Sequence, residues 1–200
     1  MSRSTSDAGR VIAGSARGVR LQAAPATRPL GDRVKQSAFA ILEPDLPGAR
    51  FLDLFAGSGA GGIEALSRGA KEAVFVERDS RSVAAIKRNL AAAGLDRAAI
   101  VIQRDVGVFL AERPGPSSFD VILVDPPYAD VEELTAVLEV LGAASALLGP
   151  EARVVAKHFW RDPPPAMIGL LASDRVERFG ETALTFYRRR PTDTSDQEGR

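Results

Sequence analysis

The chain has 200 residues and 21.2 kDa, no cysteine and one histidine, which excludes disulfides, thiolate metal sites and histidine-rich metal centres. The length suits one domain with room for an appendage; no apolar stretch nears the roughly 20 residues a membrane span needs, and Met1–Arg10 lacks the apolar core of a signal peptide, so a soluble cytoplasmic protein is expected. The zero formal charge is uneven: residues 1–35 carry seven basic side chains against Asp7 and Asp32, a net +5 that the rest of the chain balances, as expected of a polyanion ligand held at one end or of a solvated arm.

Residues 1–9 are polar and are expected to lack structure. Residues 10–22 place Val11-Ile12 and Val19–Leu21 around a Gly-Ser-Ala-Arg-Gly turn, which predicts a β-hairpin bearing Arg10, Arg17 and Arg20. Arg28-Pro29-Leu30-Gly31 breaks the chain before a helix over 32–43 with Val34, Ala38, Ile41 and Leu42 on one face. Residues 10–45 thus read as a basic hairpin-and-helix extension, and deletion of residues 1–22 is expected to spare cofactor binding.

From residue 46 to 190 strands and helices alternate. Strands are predicted at 51–55, 73–77, 99–103, 119–125 and 152–158, and helices at 60–69, 80–93 (closed by Gly94), 106–112, 131–147 and 165–172. Repeated βα units require right-handed crossovers and a parallel sheet. Residues 175–179 and 182–188, around Gly180-Glu181, read as a C-terminal antiparallel hairpin, and 191–200 as a disordered tail. The expected fold is therefore α/β, Rossmann-like: a seven-stranded, mostly parallel sheet ending in an antiparallel hairpin, plus the N-terminal extension.

Three strand ends carry chemistry. After the first strand, Gly57, Gly59 and Gly62 satisfy G-x-G-x-x-G, which lets a nucleotide-like cofactor lie against backbone. Glu77 stands twenty residues beyond Gly57 at the next strand end, placed to accept the ribose hydroxyls of such a cofactor at about 1.5–3 kcal/mol per bond; NAD and S-adenosylmethionine both fit. Asp105 ends the third strand, either as an acceptor for an adenine amine or as a helix N-cap.

Asp125-Pro126-Pro127-Tyr128 follows the apolar run Phe119–Val124 and separates the two cofactors. The prolines end the strand sharply and present a carboxylate, freed carbonyls and a ring together. A conjugated amine such as that of guanine or adenine is a poor nucleophile. Acceptors from Asp125 and the Pro126 carbonyl would bond its hydrogens and free its lone pair for attack on a sulfonium methyl, so most of the catalysis would be positioning and electrostatics. Tyr128 would stack on the base, at about 1–3 kcal/mol.

The strings R-V-I-A-G-S-A-R-G-V-R-L, R-P-L-G-D-R-V-K-Q-S-A-F, L-D-L-F-A-G-S-G-A-G-G-I-E-A-L-S-R-G-A and V-D-P-P-Y, across residues 10–188, resemble class I S-adenosylmethionine-dependent methyltransferases and, more narrowly, the bacterial small-subunit rRNA guanine-N2 methyltransferases, which act on 16S RNA. That resemblance implies methyl transfer to a guanine amine in 16S rRNA, with small-subunit particles as partner and the protein acting as a monomer without metal or membrane. The implied site comprises catalytic Asp125, Pro126 and Tyr128; cofactor-binding Asp53, Phe55, Ala56, Gly57, Ser58, Gly59, Glu77, Arg78, Asp105 and Val106; and RNA-binding Arg10, Arg17, Arg20, Arg28 and Arg33. Alternatives are a DNA adenine-N6 methyltransferase, a protein-glutamine methyltransferase and a non-catalytic RNA-binding assembly factor. The 67 residues between Gly57 and Asp125 leave no room for a DNA target-recognition domain, and Asp125 stands where the glutamine enzymes more often carry Asn. His158 and Trp160 read as structural; Arg188-Arg189-Arg190 reads as a solvated end or a phosphate contact.

Overall fold

The computed structural model describes residues 6–24, 31–112, 118–126, 131–143 and 146–190. Five α-helices occupy this range: α1 (Asp32–Leu42), α2 (Ala60–Ser67), α3 (Ser80–Ala93), α4 (Val106–Glu112) and α5 (Val131–Gly142). Strands β1 (Ser6–Arg10) and β2 (Arg20–Ala23) form a small antiparallel sheet. The main sheet comprises β3 (Arg50–Leu54), β4 (Glu72–Glu77), β5 (Ala99–Gln103), β6 (Phe119–Val124), β7 (Leu148–Phe159), β8 (Met167–Ile168), β9 (Leu171–Phe179) and β10 (Thr182–Arg189), in the order β5-β4-β3-β6-β7-β10-β9-β8.

Strands β5 to β7 of that order run parallel, and β10, β9 and β8 close the far edge antiparallel. Alternate residues of each parallel strand face opposite layers. Phe51, Phe75, Val121, Leu123 and Val155 join Phe39 of α1, Ile63 of α2 and Ile86 of α3 in one core. Leu52, Val74, Ile122 and Val154 join Phe109 of α4 and Leu138 of α5 in the other. The chain winds outward from β3 through β4 to β5, then returns to β6 on the other side of β3. The crevice between the C-terminal ends of β3 and β6 is therefore the topological switch point, where open α/β sheets bind ligands.

Three elements depart from the sequence expectation. The sheet has eight strands, because residues 165–172 form no helix but supply β8 and the start of β9. Met167 pairs with Ala172 and Ile168 with Leu171. The two residues between, Gly169 and Leu170, make a tight turn with Gly169 at φ 55°, a conformation that favours glycine. The same turn ends α5 at Gly142 instead of 147: Leu170 N–H donates to Gly142 O at 2.8 Å, and a Cβ on Gly142 would lie 2.2 Å from Ile168 O.

The N-terminal hairpin is also placed differently. Its first strand, β1, begins at Ser6, within the segment expected to lack structure, and ends before Val11-Ile12, while β2 overlaps the second apolar piece at Arg20 and Leu21. Residues 11–19 form a loop docked on α2 instead. Ala8, Val11, Ala16 and Leu21 are buried in the same core as α1, α2 and α3. The extension is thus built into the domain.

Candidate functional site

Strand β3 leaves the sheet through Phe55, whose φ of 63° is the only positive value at a non-glycine among the described residues. An aromatic residue there stores local strain of about 1–3 kcal/mol. Gly57 (φ 55°) and Gly59 (φ 78°) complete the turn into α2, closed by Gly59 N–H donating to Ala56 O at 2.7 Å. A Cβ on Gly57 would meet nothing nearer than 3.9 Å, so the backbone there has open space beside it. Gly61 and Gly62 serve packing: Cβ atoms would lie 2.5 Å from Leu123 and 2.3 Å from Phe75, so only glycine lets α2 approach the sheet this closely.

Carboxylates tie this loop from below and behind. Asp53, 2% exposed, accepts Gly62 N–H at Oδ2, 2.7 Å away. Burial pushes its carboxyl up to about 8; the Gly62 bond opposes this, and Asp125 and Glu77 add to it. Asp53 therefore anchors α2 beneath the loop. Glu77 accepts Gly57 N–H at Oε2 (2.8 Å) and Asp79 N–H at Oε1 (2.8 Å), joining the glycine loop to the start of α3. Each oxygen keeps a second lone pair for a ligand hydroxyl.

The other expected cofactor residues divide. Asp105 caps α4, its Oδ1 accepting Gly107 N–H (2.9 Å) and Val108 N–H (3.3 Å); its Oδ2 lies 3.9 Å from exposed Arg78. Val106 is buried in the α4–α5 core. Ser58 is 4% exposed and contributes its carbonyl, which accepts from Asn89 Nδ2 at 2.9 Å.

Asn89 was not singled out from the sequence. It sits on the buried face of α3, and its amide also donates to Gln22 O and accepts Gln22 N–H, both at 2.9 Å. One side chain thus joins β2, α3 and the glycine loop. An asparagine among the apolar positions of a helix was the available signal, since a buried amide requires partners.

At the end of β6, Asp125 N–H donates to Leu54 O at 3.3 Å, which sets it against the β3 end. Its side chain is 15% exposed and forms an ion pair through Oδ1 with Lys157 Nζ; the lysine side chain is 6% exposed. Oδ1 itself is sealed from solvent, so Oδ2 is the oxygen left for another partner. Burial raises the Asp125 carboxyl, and the Lys157 ammonium opposes the rise. Pro126 is buried; Pro127, Tyr128 and Arg28 lie outside the described residues. Lys157 was also missed, although a lysine in the apolar strand V-V-A-K-H needs a buried counterion.

The arm's contacts are mainly structural. Buried Glu64 of α2 accepts Ile12 N–H (2.8 Å), Ala13 N–H (3.1 Å) and Arg68 Nε (2.8 Å). Ser67 Oγ accepts Ala16 N–H at 2.9 Å and donates to Ala13 O at 2.6 Å. Fully buried Lys35 donates to Arg10 O at 2.6 Å and neighbours Glu64 and Asp32 at 4.0 and 3.8 Å. Arg17, Arg20 and Arg33 are exposed; Arg10 leans on Asp32 at 3.7 Å. Asp32 lies in the first turn of α1, whose N-cap is Gly31. His158 is structural: Nδ1 donates to Phe159 O (2.8 Å), Nε2 accepts from Thr185 Oγ1 (2.9 Å), and burial lowers its pKa. Arg188 and Arg189 bond Asp174 and the Leu148 carbonyl.

A family model described as Conserved hypothetical protein 95 matches residues 9–188. YlbH of Bacillus subtilis strain 168, named as an rRNA methyltransferase, is 38% identical over 90% of this chain and 99% of its own. Ribosomal RNA small subunit methyltransferase D of Escherichia coli K12 is 33% identical over 94% of each chain. Among solved structures, E. coli yhhF, named as a methyltransferase, superposes with TM-score 0.81 at 28% identity, covering 94% of this chain and 100% of that one. A hypothetical protein of Thermus thermophilus gives 0.76 at 37% identity, covering 88% and 97%.

Proposed function

Since this chain belongs to the family described as Conserved hypothetical protein 95 and is 33–38% identical to proteins named as rRNA methyltransferases, we propose that it transfers a methyl group from S-adenosylmethionine to the exocyclic amine of a guanine in 16S rRNA. It is an S-adenosylmethionine-dependent methyltransferase with ribosomal RNA as substrate. The DNA, protein-glutamine and non-catalytic alternatives are not favoured beside relatives named for rRNA methylation along most of the chain.

The observation that carries this reading is the meeting of two acceptor systems at one crevice: the Glu77-tied glycine loop at the end of β3 and Asp125 at the end of β6. The residues fit the cofactor. Gly57 leaves space against backbone, and Glu77 keeps lone pairs for ribose hydroxyls beside it. Asp105 Oδ2 stands at the third strand end for an adenine amine. When bound, the cofactor supplies a methyl group activated by a sulfonium. Asp125 Oδ2 accepts a hydrogen of the target amine, with the Pro126 carbonyl as second acceptor, and Tyr128 stacks on the base. These contacts orient the nitrogen lone pair and stabilise the positive charge that grows on it. The leaving thioether is neutral, so the chemistry calls for no Lewis acid.

Arg17, Arg20 and Arg33 supply phosphate contacts, which hold RNA without reading its sequence. The protein acts as a cytoplasmic monomer on a small-subunit particle and so contributes to ribosome biogenesis. No helix among the described residues is long and apolar enough to cross a membrane. Primer extension across 16S RNA from a strain lacking the enzyme, followed by radiolabelled methyl transfer to naked RNA and to particles, tests the reading. A 16S RNA with no position changed between strains would sink it.

A further inference from the structure

Lys157 stands on β7 one residue beyond Ala156, the register partner of Val124 on β6. That step brings it opposite Asp125, where the two side chains form an ion pair at 6% and 15% exposure. Desolvating an ammonium and a carboxylate costs several kcal/mol per ion, so such a pair contributes little to stability compared with apolar residues of the same volume. Its place at the ligand-binding edge of the sheet suggests another use.

We propose that Lys157 is a positioning residue for methyl transfer: it holds the Asp125 carboxylate ionised with Oδ1 turned inward, and so presents Oδ2 to the target amine. The inference rests on the reading that Asp125 meets that amine. Lys157 itself exchanges no proton. The amine lone pair forms the new bond to the methyl carbon as the carbon–sulfur bond breaks; sulfur keeps that electron pair and becomes a neutral thioether. The cationic nitrogen then releases a proton to Asp125 Oδ2 or, through it, to water.

The charges around Asp125 explain why a cation is needed. Burial alone pushes its carboxyl up. Asp53 on β3 is a second buried carboxyl nearby, with Glu77 acting on it from β4. His158, next along β7, is neutral and turned to Thr185. Lys157 is the ion-pair partner that opposes protonation. A protonated Asp125 would have a hydrogen to donate and would accept an amine hydrogen only weakly, without the charge that strengthens the bond.

The test is single-turnover methyl transfer between about pH 5.5 and 9, where the acidic limb reports the essential carboxylate. The substrate is small-subunit particles from cells lacking the enzyme, and cofactor affinity is measured by calorimetry. Lys157→Met should slow the step about tenfold or more at pH 7 and move the acidic limb up by about one unit or more, with cofactor affinity held within about threefold. Lys157→Arg should restore most of the rate and the limb. In an Asp125→Asn background, Lys157→Met should cost nothing further, because its target is gone. If circular dichroism shows Lys157→Met unfolded, Lys157→Gln carries the same expectations. A rate loss equal at every pH, an unmoved limb, or an undiminished further loss in the Asp125→Asn background overturns the proposal. Asp125→Asn with the wild-type rate instead overturns the reading of Asp125, whatever Lys157 does.

Discussion

Asp53 and Glu77 look alike as strand-end carboxylates, yet their surroundings give them opposite work. Glu77 is half-buried and divides its oxygens between two backbone N–H groups, so its bonds shape the glycine loop and each oxygen keeps a further lone pair. Glu77→Ala should weaken S-adenosylmethionine binding about 10–100-fold in calorimetry, through the lost charge-assisted bonds. Unchanged affinity would remove Glu77 from the site. Asp53 lies beneath the loop, with its carboxyl pushed up to about 8 by burial. A carboxyl raised on folding stabilises the protein fully below its unfolded pKa, near 3.8, and that contribution is lost as pH rises through about 8. Urea midpoints of the cofactor-free protein should therefore fall across that window for the wild type. The fall should be smaller for Asp53→Asn, whose amide oxygen still accepts from Gly62. Parallel curves for the two proteins would contradict the assignment.

Among elements, the N-terminal hairpin and α3 depart most from a simple scaffold. Asn89 on α3 bonds both the Ser58 carbonyl and the backbone of Gln22, so the glycine loop and the N-terminal arm share one clamp. Asn89→Ala leaves those groups without protein partners, at about 1–3 kcal/mol for each one left buried. It should lower thermal stability and cofactor affinity together; a change in stability alone would free the loop from this dependence. Arg17 and Arg20 project from the arm into solvent. Replacing both with Ala should reduce the log–log salt slope of RNA binding by about 0.7–0.9 per contact, with S-adenosylmethionine affinity unchanged in calorimetry. An identical slope would place RNA elsewhere.

At the scale of the molecule, the arm cannot be detached as a basic appendage could. Deleting residues 1–23 would remove Ala8, Val11, Ala16 and Leu21 from the core and leave the Glu64 carboxylate and Lys35 ammonium without the backbone groups they bond. The expected result is loss of the cooperative thermal transition; a truncated protein melting like the wild type would return the arm to the status of an appendage. What the sequence alone determined is the βα alternation, the glycine turn, the strand end at Asp125-Pro126 and the C-terminal hairpin. Each depends on periodicity, turn residues and breakers within about a dozen contiguous residues, and the glycine turn and strand ends already located the crevice. The partners of these groups were decided only in three dimensions. Lys157 meets Asp125 because β7 lies beside β6, Asn89 meets Gln22 because the arm folds back over α3, and residues 165–172 form a strand edge because Gly142 opens a gap for their turn. Such contacts join residues 28 to 67 positions apart, and side-chain pairing over that distance follows from strand order and layer packing, which no local pattern encodes.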